Sequence, residues 1–311
     1  MSSYLGIDTS NYTTSVAVYD AQKGEVKHAK RLLTVKPGER GLRQSEALFQ
    51  HTRALPELIE KTCQMAPPPY GAVGVSARPR DVDGSYMPCF LAGVSAASAA
   101  ARAAGIPCLS FSHQCGHIAA ALYSAGRLDL IGREFIAFHV SGGTTEALLV
   151  QPSDSHVLDC RIVGNTLDLN AGQVVDRVGV MLGIPFPCGA QLEQLALRSD
   201  HTYRVRPSVR KNNCSLSGVE NQCRAMLEKG EPPENIARFC LDSVCAAIDY
   251  MAGALLNTYG EHELVFSGGV MSNGLIRSVL TEKYSAHFAA PEFSCDNAAG
   301  IAVLAAIKSE E

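Results

Sequence analysis

Gly6-Ile7-Asp8-Thr9-Ser10, running on to Ser15-Val16-Ala17-Val18, is the stretch on which the fold turns. Tyr4-Leu5-Gly6-Ile7 reads as a short apolar strand. Asp8-Thr9-Ser10-Asn11 has turn chemistry, and Ser15 to Tyr19 reads as a returning strand closed by Asp20. The second half repeats this unit: a strand over Glu134 to Val140, a turn at Ser141-Gly142-Gly143-Thr144 and a strand over Thr145 to Gln151. Leu264-Val265-Phe266 then runs into Ser267-Gly268-Gly269, a third strand ending in a small-residue loop. Such turns let backbone N–H groups and hydroxyls approach phosphates closely. One Ser-Gly-Gly alone reads as a plain tight turn; several, each following a strand, point to nucleotide binding and to a duplicated α/β architecture of two lobes. The expected lobes are residues 1–130 with 297–311, and residues 131–296.

Between these units the periodicity turns helical. Gln44 to Thr62 places Leu48, Leu55, Leu58 and Ile59 on roughly one face, and Pro67-Pro68-Pro69 follows it. Ala72 to Ser76 and Cys108 to Ser112 read as strands, and Pro88 to Ala104 as a small-residue helix stopped by Gly105 and Pro107. Helices are also expected over Gln114 to Tyr123, Asp168 to Leu182, Cys188 to Leu197, Ile236 to Tyr259 and Asn297 to Lys308.

The bulk numbers narrow the class. The 311 residues are 46% apolar, enough for a real core, and the net charge of −4 argues against a generally basic nucleic-acid binder. No uncharged apolar run reaches the roughly 18 to 20 residues of a membrane helix. Phe90 to Ala104 comes closest, and Arg102 interrupts it. Met1-Ser2-Ser3-Tyr4 lacks a positively charged leader start, so no membrane association and a cytoplasmic location are expected. The eleven cysteines form no CxxC pair and read mainly as small buried hydrophobes.

His113 and His117 stand at i and i+4, so a helix would put both imidazoles on one face. That spacing suits capture of one divalent metal; two ordinary surface or core histidines are the alternative. Cys115 would point off that face. Asp296, at the head of the last expected helix, is the candidate third ligand, although an N-cap role is open to it as well. Two histidines and a carboxylate with open positions favour Fe(II), with Zn as rival.

These residues, taken in order, resemble the TsaD family, the tRNA threonylcarbamoyladenosine synthases once classed as glycoproteases or peptidase family M22. The landmarks are Leu5-Gly6-Ile7-Asp8-Thr9-Ser10, His113-Gln114-Cys115-Gly116-His117, Val140-Ser141-Gly142-Gly143-Thr144, and Asp168 through Ala171-Gly172 to Asp176. Pro187-Cys188-Gly189, Ser215-Leu216-Ser217-Gly218, Ser267-Gly268-Gly269-Val270-Met271-Ser272-Asn273 and Cys295-Asp296-Asn297 complete them. The resemblance implies an actin-like (ASKHA, ribonuclease H-like) fold. It implies transfer of a threonylcarbamoyl group from its adenylate to N6 of adenosine 37 in tRNA. It also implies a metal on His113, His117 and Asp296, and an acyl-adenylate or adenine nucleotide, with Mg, on Val140, Ser141, Gly142, Gly143, Thr144, Asp176, Gly189 and Asn273. Other proteins of the threonylcarbamoyladenosine pathway are the implied partners. The peptidase reading lacks support, because the chain has no HExxH.

The chain departs from the family pattern at Tyr12 and Thr13, where the family has an acidic pair, and at Thr144, where it has a histidine. Leu169 and Gln173 replace acidic positions, and Glu220 stands where a lysine is expected, which marks a divergent paralogue. Three functions stay open at this point. The first is the tRNA transferase, for which Arg198, Arg204, Arg206, Arg210 and Lys211, interleaved with His201 and Tyr203, are either a phosphate-binding patch or a solvated loop. The second is a carbamoyl-type transferase with another acceptor. The third is a non-catalytic ATP-binding partner of a true synthase.

Overall fold

In the computed structural model, which describes residues 2–10, 12–35, 42–293 and 298–310, the opening hairpin forms as its alternation predicts. β1 (Ser3–Asp8) pairs antiparallel with β2 (Thr13–Asp20), Ile7 opposite Val16, and β2 pairs antiparallel with β3 (Glu25–Leu32). After α1 (Gln44–Met65), β4 (Val73–Arg78) joins β1 in parallel. After α2 (Phe90–Ala104), β5 (Cys108–Ser112) joins β4 in parallel and leads straight into α3 (His113–Ser124). The sheet order is β3-β2-β1-β4-β5.

The same order is built a second time. β6 (Phe135–Val140) pairs antiparallel with β7 (Thr145–Ser153), beside which lies β8 (Val157–Asn165). There follow α4 (Ala171–Met181), α5 (Gly189–Ala196), the small ribbon of β9 (Ser208–Arg210) and β10 (Asn213–Ser215), α6 (Ser217–Glu228) and α7 (Pro233–Tyr259). β11 (Leu264–Ser267) returns to pair in parallel with β6, and after α8 (Gly274–Lys283), β12 (Ala286–Phe288) pairs in parallel with β11. The second sheet therefore runs β12-β11-β6-β7-β8, which is the first sheet's connectivity repeated. Its core packs Phe138, Val140 and Phe266 of the strands against Val174 and Val178 of α4 and Cys240, Val244 and Met251 of α7.

α7 is long and apolar enough to cross a membrane by length and composition, more so than Phe90–Ala104, which the sequence reading took as the closest approach. More than half of its apolar stretch is buried, which makes it the core helix of this lobe.

The last helix, α9 (Ala298–Glu310), returns to the first sheet. Ala298 to Ala306 are all buried, as expected of a helix apolar on every side. It lies almost on the backbone: Gly6 and Gly74 are in register across β1 and β4, and a Cβ on Gly6 would stand 2.6 Å from Ala302 N, one on Gly74 2.8 Å from Ile301 O.

The chain divides into one unit of Met1–Gly132, Gln151–Cys160 and Glu292–Glu311, and another of Arg133–Val150 and Arg161–Pro291. The sequence reading puts 151–160 in the second lobe, but this segment packs with the first. Val157 and Leu158 are buried, and Leu158 O accepts from the Cys115 thiol of α3 at 3.3 Å. Among the described residues every cysteine is a free thiol and most are buried, in line with their reading as small hydrophobes.

Asp168 ties the second unit's loops together. Its Oδ1 accepts from Leu169 N (2.6 Å) and Leu216 N (2.7 Å), and its Oδ2 from Ser217 N (3.3 Å) and Ser217 Oγ (2.6 Å), at the start of α6. Burial pushes this carboxyl up, but the four donors outweigh it and hold it below the usual carboxylate range. A group with a lowered folded pKa stabilises fully above the unfolded value, near 4, and loses that effect as pH falls through the folded value. Asp168→Asn is therefore expected to lose about 1 kcal/mol at neutral pH. In urea melts its deficit relative to wild type should shrink as the pH is taken below about 4.

Candidate functional site

The histidine pair sits where a strand becomes a helix with no intervening loop. Ser112 closes β5 and caps α3, its Oγ accepting from Cys115 N at 3.2 Å. His113 is thus the first helical residue and His117 lies one turn on; their ring centroids are 4.5 Å apart at 67°. The spacing argument holds for this pair.

The sequence reading passed over Asp8, which it took as turn chemistry. The carboxylate ends β1, is 1% exposed, and stands 2.9 Å through Oδ2 from His113 Nδ1. It also accepts from Ser10 N and Ser76 Oγ, both at 2.7 Å. Burial pushes the Asp8 carboxyl up, but His113 and these two donors together bring it below the usual range. A carboxylate on one imidazole nitrogen fixes the tautomer and leaves the other nitrogen to bind, the arrangement in which histidines hold metals. The donor set therefore fits a divalent ion. Asp296, the expected third ligand, lies outside the described residues, and among the described residues no group of three His, Cys, Asp or Glu forms a metal cluster. Cys115 is buried away from the pair, its sulfur 3.2 Å from Asp81 Oδ2 and 3.9 Å from Cys160 Sγ.

In the second unit the two glycine turns stand side by side at the carboxyl ends of the parallel strands β6 and β11. Val140 ends β6; Gly268, at φ +96°, follows β11, and a Cβ there would fall 2.7 Å from Val140 C. Ser141 N donates to Thr144 O at 2.7 Å, and Ser141 Oγ accepts from Gly143 N and Thr144 N, which closes the turn. Gly142 and Gly143 have open space on their Cβ side. Gly172, at the start of α4, is the residue with no room: a Cβ would stand 2.6 Å from Gly142 N and 2.7 Å from Ser141 C. Gly172→Ala is expected to displace the Ser141–Thr144 turn at a cost of about 1 to 3 kcal/mol, which a urea melt against wild type checks.

Asp176, Gly189 and Asn273 are connected through hydrogen bonds made by residues next to them in sequence. Asp176 Oδ1 accepts from Cys188 N at 2.9 Å just before Gly189 opens α5. Glu193 of α5 accepts from Gly274 N at 2.6 Å, next to Asn273. Asn273 caps α8, its Oδ1 accepting from Ile276 N at 3.1 Å, so its amide nitrogen keeps its two donors beyond the cap. Beside Asp176 lies an open cavity of about 480 Å3 lined by Arg177, Val180, Phe186, Glu220 and Arg224. Glu220, the position of reversed charge, bridges Arg177 Nη1 at 3.0 Å and Arg224 Nη2 at 3.1 Å.

The basic segment is without regular secondary structure from 199 to 207 and then enters β9. Arg204, Arg206 and Arg210 alternate with half-buried residues and are exposed, as are Arg198 and Lys211. Tyr203 anchors the segment, its N–H donating to Asp242 at 2.8 Å and its ring meeting Phe239 edge-on.

The model of the family described as "TsaD: tRNA N6-adenosine threonylcarbamoyltransferase" matches residues 28–303. A protein named tRNA N6-adenosine threonylcarbamoyltransferase from Nitrosomonas europaea is 30% identical over 321 residues, covering 99% of this chain and 93% of that protein. A probable bifunctional tRNA threonylcarbamoyladenosine biosynthesis protein from Methanothermobacter thermautotrophicus is 26% identical over 305 residues, covering 96% of this chain and 54% of that protein. The chain thus spans about half the length of the bifunctional relatives. Among solved structures, full-length HypF in its phosphate- and nucleotide-bound form superposes with a TM-score of 0.60 at 13% identity, over 99% of this chain and 55% of HypF. Component A of the Acidaminococcus fermentans (R)-2-hydroxyglutaryl-CoA dehydratase superposes at 0.56 and 17% identity over 100% of both chains. These structural likenesses are of fold, and the fold is the actin-like one expected. With the family model covering most of its length, the chain belongs to the TsaD family.

Proposed function

We propose that this chain transfers a threonylcarbamoyl group from its adenylate to N6 of adenosine 37 in tRNA, together with other proteins of the threonylcarbamoyladenosine pathway. The observation that carries the reading is the histidine pair backed by Asp8, in a chain that keeps the family's glycine turns at the carboxyl ends of two parallel strands. Ligands of open α/β sheets bind at that end. The adenylate is assigned to Val140, Ser141, Gly142, Gly143 and Thr144, with Asp176, Gly189 and Asn273 around the nucleoside and Mg on its phosphate. His113 and His117, with Asp296, would hold one divalent ion. Two imidazoles and a carboxylate favour Fe(II) over Zn. When bound, that ion supplies Lewis-acid polarisation of the carbamoyl carbonyl. The chain's own groups do the positioning: Asp8 orients His113, and the open space at Gly142 and Gly143 lets the adenylate come close to the backbone of the turn. Arg204, Arg206 and Arg210 offer an exposed alternating row of cations for tRNA phosphates.

A second reading, transfer to a different acceptor, is favoured by Glu220, which closes off Arg177 and Arg224 beside Asp176. The two readings part in one assay. Purified chain is given threonylcarbamoyl-adenylate, tRNA and the pathway's partner proteins, and the digested tRNA is analysed for threonylcarbamoyladenosine. Modified adenosine above the no-enzyme control is the expected result. A chain that binds ADP and metal yet leaves the tRNA unmodified belongs to the second reading.

A further inference from the structure

Two thiols of the first unit meet in the fold although they lie 45 positions apart in sequence. Cys115, in the first turn of α3, is fully buried, and its sulfur stands 3.9 Å from Cys160 Sγ in β8. Both belong to the first unit, because the segment 151–160 packs there. Cys115 Sγ also lies 3.3 Å from Leu158 O and 3.2 Å from Asp81 Oδ2, and the other oxygen of Asp81 accepts from Arg78 Nε at 2.8 Å. The two sulfurs differ in access. Cys160 is half-buried between exposed Asp159 and Arg161, whereas Cys115 is closed to solvent. A second pair of neighbouring thiols, Cys223 with Cys240, is fully buried on both sides in the core of the second unit.

The segment that brings Cys160 to α3 is held under strain. Val157 opens β8 at φ +67°, in the left-handed region that a β-branched side chain disfavours. Such a backbone persists only where its surroundings hold it. Here the hold is the burial of Val157 and Leu158, beside the contact of Leu158 O with the Cys115 sulfur. A covalent bond from Cys160 to α3 would add to that hold at the same place.

We propose that Cys160 and Cys115 are a modification site for hydroperoxides, an oxidisable dithiol whose disulfide latches the start of β8 to the first turn of α3. The inference stands apart from the reading of the chain as a tRNA transferase. Cys160 reacts first because the oxidant reaches it. Its sulfur bonds to one peroxide oxygen, the O–O bond breaks, and the other oxygen leaves with the electron pair and the Cys160 proton, as water or an alcohol. Cys115 then resolves the sulfenic acid. Its sulfur bonds to that of Cys160, the S–O bond breaks, and hydroxide leaves with the Cys115 proton as water. The two sulfurs lose two electrons in all and the peroxide gains them. A disulfide is about 2 Å long, so the sulfurs must close by about 2 Å to bond.

The test is a peptide map of the folded full chain, treated with stoichiometric hydrogen peroxide and digested with trypsin without reduction. Wild type should yield peptide 103–127 joined to peptide 134–161, lighter than the two together by two hydrogens and parted by dithiothreitol. Cys160 is the one cysteine of peptide 134–161; peptide 103–127 holds Cys108 as well as Cys115, and fragmentation should put the bond on Cys115. Oxidised wild type should melt at least about 4 °C above the reduced chain, because the bond closes a 45-residue loop in the unfolded state. Cys160→Ser, a change at a half-buried position, should abolish both the joined peptide and the rise in Tm. No joined peptide from wild type, a bond from Cys160 to any other cysteine, or Cys160 recovered only as sulfinic acid overturns the pair. So does oxidation of Cys223 and Cys240 ahead of it, since access then does not choose the site. A disulfide that forms but leaves Tm unchanged or lower overturns the latch.

Discussion

His117→Ala is expected to weaken binding at the proposed divalent-ion site by at least about 100-fold, because losing even an outer-shell partner of a ligand costs about 10- to 100-fold. Elemental analysis after dialysis against a chelator reads it directly, and metal content equal to wild type would sink the assignment. His117 is the better single target. Removing His113 would also leave Asp8, a carboxylate 1% exposed, without its 2.9 Å partner. That loss destabilises the fold by about 1 to 3 kcal/mol and mixes folding with binding. Asp8→Asn tests the outer shell: it removes the charge beside His113 and leaves one acceptor oxygen where Ser10 N and Ser76 Oγ use one each. Its expected effect is the smaller one, about 10- to 100-fold weaker metal binding. The His113→Ala/His117→Ala double variant should hold no more metal than His117→Ala alone.

Gly300→Ala should be the most damaging glycine-to-alanine change among the described residues. Gly300 sits in α9 against α3, where a Cβ would overlap Gly116 O and come within 2.6 Å of Ala120 N. Both neighbours are helix backbone, so nothing can swing aside and the two helices must separate. Overpacking of this kind costs about 3 kcal/mol. At about 2 to 4 °C per kcal/mol for a chain of this size, Tm should fall by roughly 6 to 12 °C. Gly132→Ala, with nothing within 4 Å of its Cβ, is the control and should change Tm by no more than about 2 °C. The damage should reach the histidine pair as well, because α3 begins with His113 and carries His117 one turn later. A Gly300→Ala chain with wild-type Tm would mean that α9 does not approach α3 as closely as the glycines require.

Much of this was legible from the sequence because periodicity is local. The hairpin of β1 and β2, the strand β5, the helices α1, α3 and α7, and the repeat of the opening unit at β6 and β7 all announce themselves through their own residues. So does the histidine pair, since i and i+4 meet on any helix. Elements that bury little carry no such pattern: β3, with the sequence Glu25-Val26-Lys27-His28-Ala29-Lys30-Arg31-Leu32, is an edge strand mostly open to solvent, and α6 and α8 bury only two residues each.

The site divides the same way. The residue types and their order along the chain already placed the glycine turns, the histidine pair and the family. What only the tertiary structure decided was which residues far apart in sequence stand together. Asp8 reaches His113 across 105 residues because β1 and β5 flank β4 in one sheet. His139 reaches Ser267 across 128 residues because β11 pairs with β6 in one register and not the next. A one-residue slip would turn every side chain of that strand to the other face. The same holds for the glycines. Gly142 and Gly143, which caught the eye in the sequence, have open space around them. Gly74 and Gly300, which no motif marks, and Gly6 and Gly172, quoted only as parts of longer motifs, are positions where backbones touch. Local preference is written in neighbouring residues, whereas register and close approach are set by the packing of segments that the chain brings together only when it folds.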